Sequence, residues 1–137
     1  VVMAKEAPTV AVSVDDSGGS ARDISNDITN CDWAIPRGVQ DVTGIDKSAL
    51  ERLLLLADFS ITMNGVFNDG ANVSHAVFKT VSSTSVGRTI SIVTSGQTLT
   101  CGDGVLLTDY SLSRGTDGSL TWTVPGVVGD GTVPTWS

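Results

Sequence analysis

Residues 57–64, ADFSITMN, alternate strictly. Ala57, Phe59, Ile61 and Met63 fall on one side, and Asp58, Ser60, Thr62 and Asn64 on the other. A period of two is that of a strand, and a strand with one apolar face must lay that face on a second layer. The same pattern recurs along the chain. In TVAVSVD (residues 9–15), Val10, Val12 and Val14 oppose Thr9, Ser13 and Asp15. In NCDWAI (residues 30–35), Cys31, Trp33 and Ile35 share a face, and Pro36 then ends or edges the strand. RTISIVT and QTLTC read as two further strands joined near Ser95-Gly96. Gly65 breaks the phase after Asn64 and is expected to mark a bulge or bend.

Parity sets one register. Across VLLTDYSLSRGTDGSLTWTV, residues 105–124, Leu112 pairs with Trp122 only if the loop is the three residues Thr116-Asp117-Gly118. That loop is a type I turn closed by a left-handed glycine, and Gly118 stands where it is needed. The hairpin is therefore expected over residues 105–126. Together these segments predict a mainly β chain, an antiparallel sandwich or barrel, with one flanking helix. The helix is expected over residues 71–82. Asp69 or Asn72 would cap it, and Val73, Ala76, Val77 and Val81 would form its apolar stripe. His75 on that helix reads as a surface or boundary residue.

One stretch resists this pattern. SALERLLLLADF, residues 48–59, begins with Ser48 and Glu51 at capping-box spacing. A short helix would run through the leucines to about Asp58. The alternative is an extended segment whose leucines project to both faces. In either case Leu53, Leu54, Leu55 and Leu56 cannot all be covered by one surface, and the excess faces outward unless another chain covers it. The competing reading is ordinary core between sheet and loop. Residues 37–47 before it, RGVQDVTGIDK, have no clean period and read as a long loop with some extended pieces.

The 137 residues suit a single domain with one core. The formal charge is −7, and the eight basic residues are scattered, which argues against tight nucleic-acid binding. No stretch approaches the roughly 20 apolar residues of a membrane span, and no apolar run of a signal peptide follows VVMAKEA. Cys31 and Cys101 are expected as free thiols rather than a disulfide. There is no Walker loop, GxSxG, HExxH or dinucleotide fingerprint, so neither an enzyme nor a cofactor is expected. Asp15-Asp16 reads as a solvated turn. The GDG repeats at 102–104 and 129–131 read as turn signals rather than a calcium or other metal site. Asn72-Val73-Ser74 matches a glycosylation acceptor, a pattern frequent by chance.

In order, ARDISNDIT (21–29), VQDVTGIDKSALERLLLLADFSITMNGVFND (39–69), ANVSHAVFKTV (71–81) and the DGTVPTW ending resemble the major tail tube protein of long-tailed bacteriophages. The likeness spans nearly the whole chain and rests on the order of weak motifs. The DVT loop departs from commoner versions in carrying Gly44-Ile45-Asp46. The resemblance implies a single tail-tube domain over 1–137, with an N-terminal arm (1–8), a long interface loop (37–57) and a C-terminal arm (127–137). It implies a homo-hexameric ring, stacked into a hollow virion tube assembled in the host cytoplasm. DNA would pass through without specific binding. A tape measure protein would fill the lumen, with tail terminator and tail-tip proteins at the ends and no membrane partner. Polar strand faces are then candidates for the channel wall: Asp58, Ser60, Thr62 and Asn64 on one strand, and Asp109, Ser111 and Ser113 on another. Val39, Val42, Ile45, Leu53, Leu54, Leu55, Leu56 and Trp136 are candidates for contacts between subunits or rings. The alternatives are an immunoglobulin-like adhesion or virion decoration domain, and a tail terminator or head–tail joining ring protein.

Overall fold

A computed structural model describes residues 8–137. The N-terminal arm expected over 1–8 thus lies, apart from Pro8, outside the described residues. The strands are β1 (Val10–Asp15), β2 (Ala21–Asp23), β3 (Ile28–Ala34), β4 (Arg37–Asp41), β5 (Arg52–Ala57), β6 (Ser60–Val66), β7 (Arg88–Thr94), β8 (Gln97–Leu107), β9 (Ser111–Arg114), β10 (Leu120–Val128) and β11 (Thr135–Trp136). A 3-10 turn, Ser25–Asp27, precedes β3, and a single α-helix, α1 (Ser74–Phe78), follows β6. Nine strands form one antiparallel sheet in the order β2-β1-β7-β8-β10-β6-β3, with β11 added to β8 and β9 to β10. β4 and β5 pair only with each other.

The sheet curls so that its inner face closes on itself. Val12 and Val14 of β1, Ile90 and Ile92 of β7, Leu99 of β8, Ile61 and Met63 of β6, and Trp122 and Val124 of β10 form one buried cluster. The two-layer packing expected from the alternation is thus achieved by one sheet rather than two separate ones. Near closure, β1 and β3 face each other across a cleft of about 220 Å3 lined by Val10, Val12, Ile28, Cys31 and Trp33. Ser25 bridges part of that seam, its Oγ accepting from the Val12 N–H at 2.8 Å.

β10 explains how one strand serves two partners. Its first half pairs with β9 (Trp122 with Leu112) and its end with β8 (Gly126 with Leu107). Pro125 sits at the changeover. Its carbonyl accepts from the Thr108 N–H on that edge, so its missing N–H falls where the ladder passes from β9 to β8. The Leu112–Trp122 register matches the expectation. Gly115 and Ser119 close the loop by a 2.8 Å hydrogen bond around Thr116-Asp117-Gly118, and Gly118 has φ +91°. Ser95 and Gly96, both at positive φ, turn β7 into β8.

Several expectations are corrected. Gly65 does not break the phase of β6, because alternate burial runs from Ser60 to Val66. A Cβ there would lie 2.2 Å from the Asp27 carbonyl and 2.4 Å from the Trp122 ring, so glycine is required by close packing. The register shift falls instead on β3, between Ile28 and Asn30.

The helix covers five residues rather than 71–82. Asn72, at φ +61°, cannot belong to it. Neither Asp69 nor Asn72 caps it. The Ser74 N–H is bound at 3.2 Å by the carboxylate of Asp27, brought from 47 residues away. Beyond Phe78 the chain continues as turns through Thr80, Ser83 and Thr84.

The leucine run is not helical. It is β5, paired with β4 through Val39–Leu54 and Gln40–Leu53. The Glu51 N–H that a Ser48 capping box would have placed in a helix goes to Thr43 Oγ1 at 2.9 Å. The long loop expected over 37–57 is therefore a hairpin. The C-terminal segment is also more ordered than an arm starting at 127. Val127 and Val128 belong to β10, and Thr135 and Trp136 pair with Thr100 and Leu99 of β8. Among the described residues no helix is long and apolar enough to cross a membrane.

Candidate channel face and assembly surfaces

The register joins the polar residues of four strands into one outer surface. Ser111 of β9 is opposite Thr123 of β10, Thr123 is opposite Asn64 of β6, and Asn64 is opposite Asn30 of β3. That row crosses the whole β9-β10-β6-β3 sheet. Ser113 with Thr121, and Thr62 with Asp32, extend the surface to either side. Thr123 Oγ1 donates to Asn64 Oδ1 at 2.7 Å, and Asn30 Nδ2 to Asp32 Oδ2 at 3.2 Å. The two faces singled out in the sequence are thus one face, with β10 supplying the threonines between them. Nothing local in β10 announces this, because Thr121 and Thr123 gain their polar neighbours only through pairing.

Asp58 and Asp109 lie just outside the strands. Asp58 is exposed in the link from β5 to β6, its N–H held by the Pro36 carbonyl at 2.9 Å. Asp109 lies in the link from β8 to β9. Its carboxylate accepts the Ser111 hydroxyl at 2.5 Å and the Tyr110 N–H at 2.8 Å, which ties it to the polar face. The only basic residue in the four strands is Arg114, and its parity with Leu112 puts it on the opposite side from Ser111 and Ser113. Ala34, Val66, Pro125 and Val127 complete the surface. Chemically it offers hydroxyls, amides and carboxylates, and no cation. Among the described residues, the edge of β3 away from β6 and the edge of β9 away from β10 have no strand partner.

The β4–β5 hairpin is a second surface. Val39, Val42, Leu53, Leu54 and Leu55 are all exposed, Leu56 is 92% exposed, and Ile45 at the tip is bare at 109%. Leucines point outward from both sides of a two-stranded ribbon that no second layer covers. Its root is held by Arg37, whose Nε donates to the Leu55 carbonyl at 2.8 Å. Trp136 is half-exposed on β11.

Other candidates from the sequence have structural roles. The two GDG segments meet: the Gly129 N–H donates to the Gly104 carbonyl at 2.7 Å. A Cβ on Gly104 would lie 2.2 Å from the Asp130 carboxyl carbon, so the glycine makes room for that side chain. No cluster of three metal-ligating side chains exists among the described residues. Cys31 and Cys101 are free, and burial pushes both thiols up to about 11. Asp16 is a turn residue. The Ser20 and Gly18 N–H groups and Arg22 hold its carboxyl below the usual range. His75 sits at a boundary, its Nδ1 3.1 Å from the Tyr110 hydroxyl and its ring 4.8 Å from that of Phe67. Arg88, which the sequence reading passed over as a strand residue, is fully buried. Its guanidinium donates to the carbonyls of Val77 at 2.7 Å and Asp15 at 3.0 Å, pinning α1 to the end of β1. Burial lowers its pKa.

No protein-family model matches the sequence, and no curated protein sequence matches it. Solved structures do. A chain from the tail of an empty GTA particle, determined with C6 symmetry, superposes with a TM-score of 0.74 at 14% identity, over 94% of this chain and 96% of that one. A chain from the virion of a native gene transfer agent particle gives 0.72 at 13% identity, over 94% and 95%. A chain from the six-fold symmetrised baseplate of the anti-feeding prophage gives 0.68 at 12% identity, over 100% and 97%. Across nearly its whole length, the chain therefore has the fold of proteins found in phage-type tails and baseplates.

Proposed function

We propose that this chain is a structural tail subunit whose copies form six-membered rings that stack into a hollow tube for DNA. The observation that carries the reading is the cation-free polar face on β9-β10-β6-β3, bounded by two unpaired strand edges. Joining the β3 edge of one copy to the β9 edge of the next would continue that face around a ring and remove both edges. DNA carries one charge per roughly 1.7 Å, and a wall of lysines would grip it. Hydroxyls and a few carboxylates let it slide, and only charges within about 8 Å of the duplex are felt at physiological salt. The six-fold neighbours support the ring number. In this reading Asp58, Asp109, Ser60, Thr62, Asn64, Ser111 and Ser113 line the channel. A tape measure protein occupies it before ejection, and terminator and tip proteins cap the ends. The role is structural, with no catalysis.

Negative-stain microscopy of the purified chain tests this. Tubes of stacked rings are expected, and deletion of residues 38–46 should leave a folded β-domain that no longer polymerises. A chain that stays monomeric would point to a decoration or adhesion domain, and single rings that never stack to a terminator or joining protein. In assembled particles, replacing Asp58 and Asp109 together with lysine should leave tubes intact but slow DNA ejection, with the delay shrinking at high salt. An unchanged ejection rate at low salt would remove these residues from the channel wall.

A further inference from the structure

An apolar pocket of about 390 Å3 opens at the root of the hairpin, between Leu56 and Ala57 on one side and Gly131–Pro134 on the other. Phe59, fully buried, and Val128 form its inner wall, and Arg37 is its only charged lining residue. Its volume is near the lower end for small-molecule sites, roughly 300–1,000 Å3. It lacks the convergent polar groups that orient a metabolite, and its chemistry is that of a socket for an aliphatic side chain.

The same chain carries a matching knob. Ile45 stands free at the hairpin tip, and Asp46 follows it, its side chain 77% exposed and 3.6 Å from Lys47 Nζ, a surface pair that it can exchange for another cation. An isoleucine beside a carboxylate complements an apolar socket beside an arginine. The knob cannot enter its own socket. β4 extends for five residues from Arg37, about 15 Å of strand, and Ile45 lies beyond its far end. Ile45 therefore reaches such a socket only on a second copy.

Resting on the tube reading, we infer that Ile45 of one copy docks into the root pocket of another, with Asp46 beside that copy's Arg37. The contact joins two different patches, so it is heterologous and can be repeated from copy to copy without exhausting either surface. It also gives the hairpin's apolar tip a specific address, where exposed leucines alone would associate in any register.

Cysteine pairing tests the docking in the full-length chain. Ile45 and Thr132, a pocket-lining residue, are replaced together by cysteine, and assembled protein is oxidised with diamide at pH 8. The native thiols, with pKa values of about 11, stay largely protonated there. The expected result is a ladder of covalent multimers on a non-reducing gel, absent from either single variant. Normal assemblies without the ladder, or a dimer from I45C alone, would overturn the docking and leave the tube reading standing. A wild-type chain that never assembles would overturn both. As a second readout, Ile45→Asp should raise the concentration needed for assembly by about tenfold or more, because it places a carboxylate in the socket. Ile45→Leu should assemble at close to the wild-type concentration. Equal behaviour of the two variants would also overturn the docking.

Discussion

β5 and β6 are consecutive strands, both rich in large apolar side chains, and they have opposite fates. In β6, Ile61 and Met63 are sealed against the curled sheet, while Ser60, Thr62 and Asn64 look out. In β5, Leu53 to Leu56 are all exposed. β6 lies between β3 and β10 and has a layer beneath it, whereas β5 has β4 and no layer. Apolar content decides that a segment wants burial. Whether it is buried within one subunit depends on the supply of a facing surface. A two-stranded ribbon is marginal on its own in water. This one is closed at its root by the Arg37 guanidinium on the Leu55 carbonyl and the Asp58 N–H on the Pro36 carbonyl, and is left with its apolar sides free for association.

The contrast can be broken most forcefully in the core. Trp122→Ala should cost about 4 kcal/mol of subunit stability, since it empties the site beneath Gly65 and removes the Nε1 hydrogen bond to the Val66 carbonyl. Urea denaturation of the subunit measures it, and a loss below about 1 kcal/mol would show that the curled sheet does not depend on this residue. Asp27→Ala comes next, at about 2 kcal/mol, because it strips the bonds to the Ser74 N–H and to Asn68 Nδ2 at 2.9 Å. Its amide-exchange signature should be concentrated at α1. Gly118→Ala should cost about 1 kcal/mol, through the left-handed conformation its loop requires. The smallest stability change is expected in the hairpin. Leu54→Ser should alter subunit stability by no more than about 0.5 kcal/mol while weakening assembly, read by sedimentation. A large loss of subunit stability from Leu54→Ser would erase the distinction between the two strands.

The folded state also shields its thiols. Each thiol has a raised pKa, so burial favours the neutral form. Its stabilising contribution is present below the unfolded value near 9 and is lost as pH rises towards 11. Alkylation at pH 8 should therefore be slow in the folded subunit and fast in denaturant. Under the proposed ring closure through the β3 edge, Cys31, beside the β1–β3 seam, should be protected further on assembly.

Sequence alone determined whatever depends on near neighbours. Alternation marked β1, β3, β6 and β7, and parity with Gly118 set the Leu112–Trp122 register. An unmanageable run of leucines announced surface that the subunit would leave bare. Tertiary structure decided the rest. The leucines became a strand because β4 paired with them, with Arg37 bonding the Leu55 carbonyl 18 residues on and Thr43 bonding the backbone of Glu51 just ahead of β5. The helix starts at Ser74, not 71, because the partner of its first N–H is Asp27, far back in the chain, and not the nearby Asp69 or Asn72. Ser111, Thr123, Asn64 and Asn30 became one polar row only when four strands were laid side by side. Periodicity records which side of a strand is apolar. It does not record which strand lies next to it, because strand pairing joins residues that the sequence keeps apart.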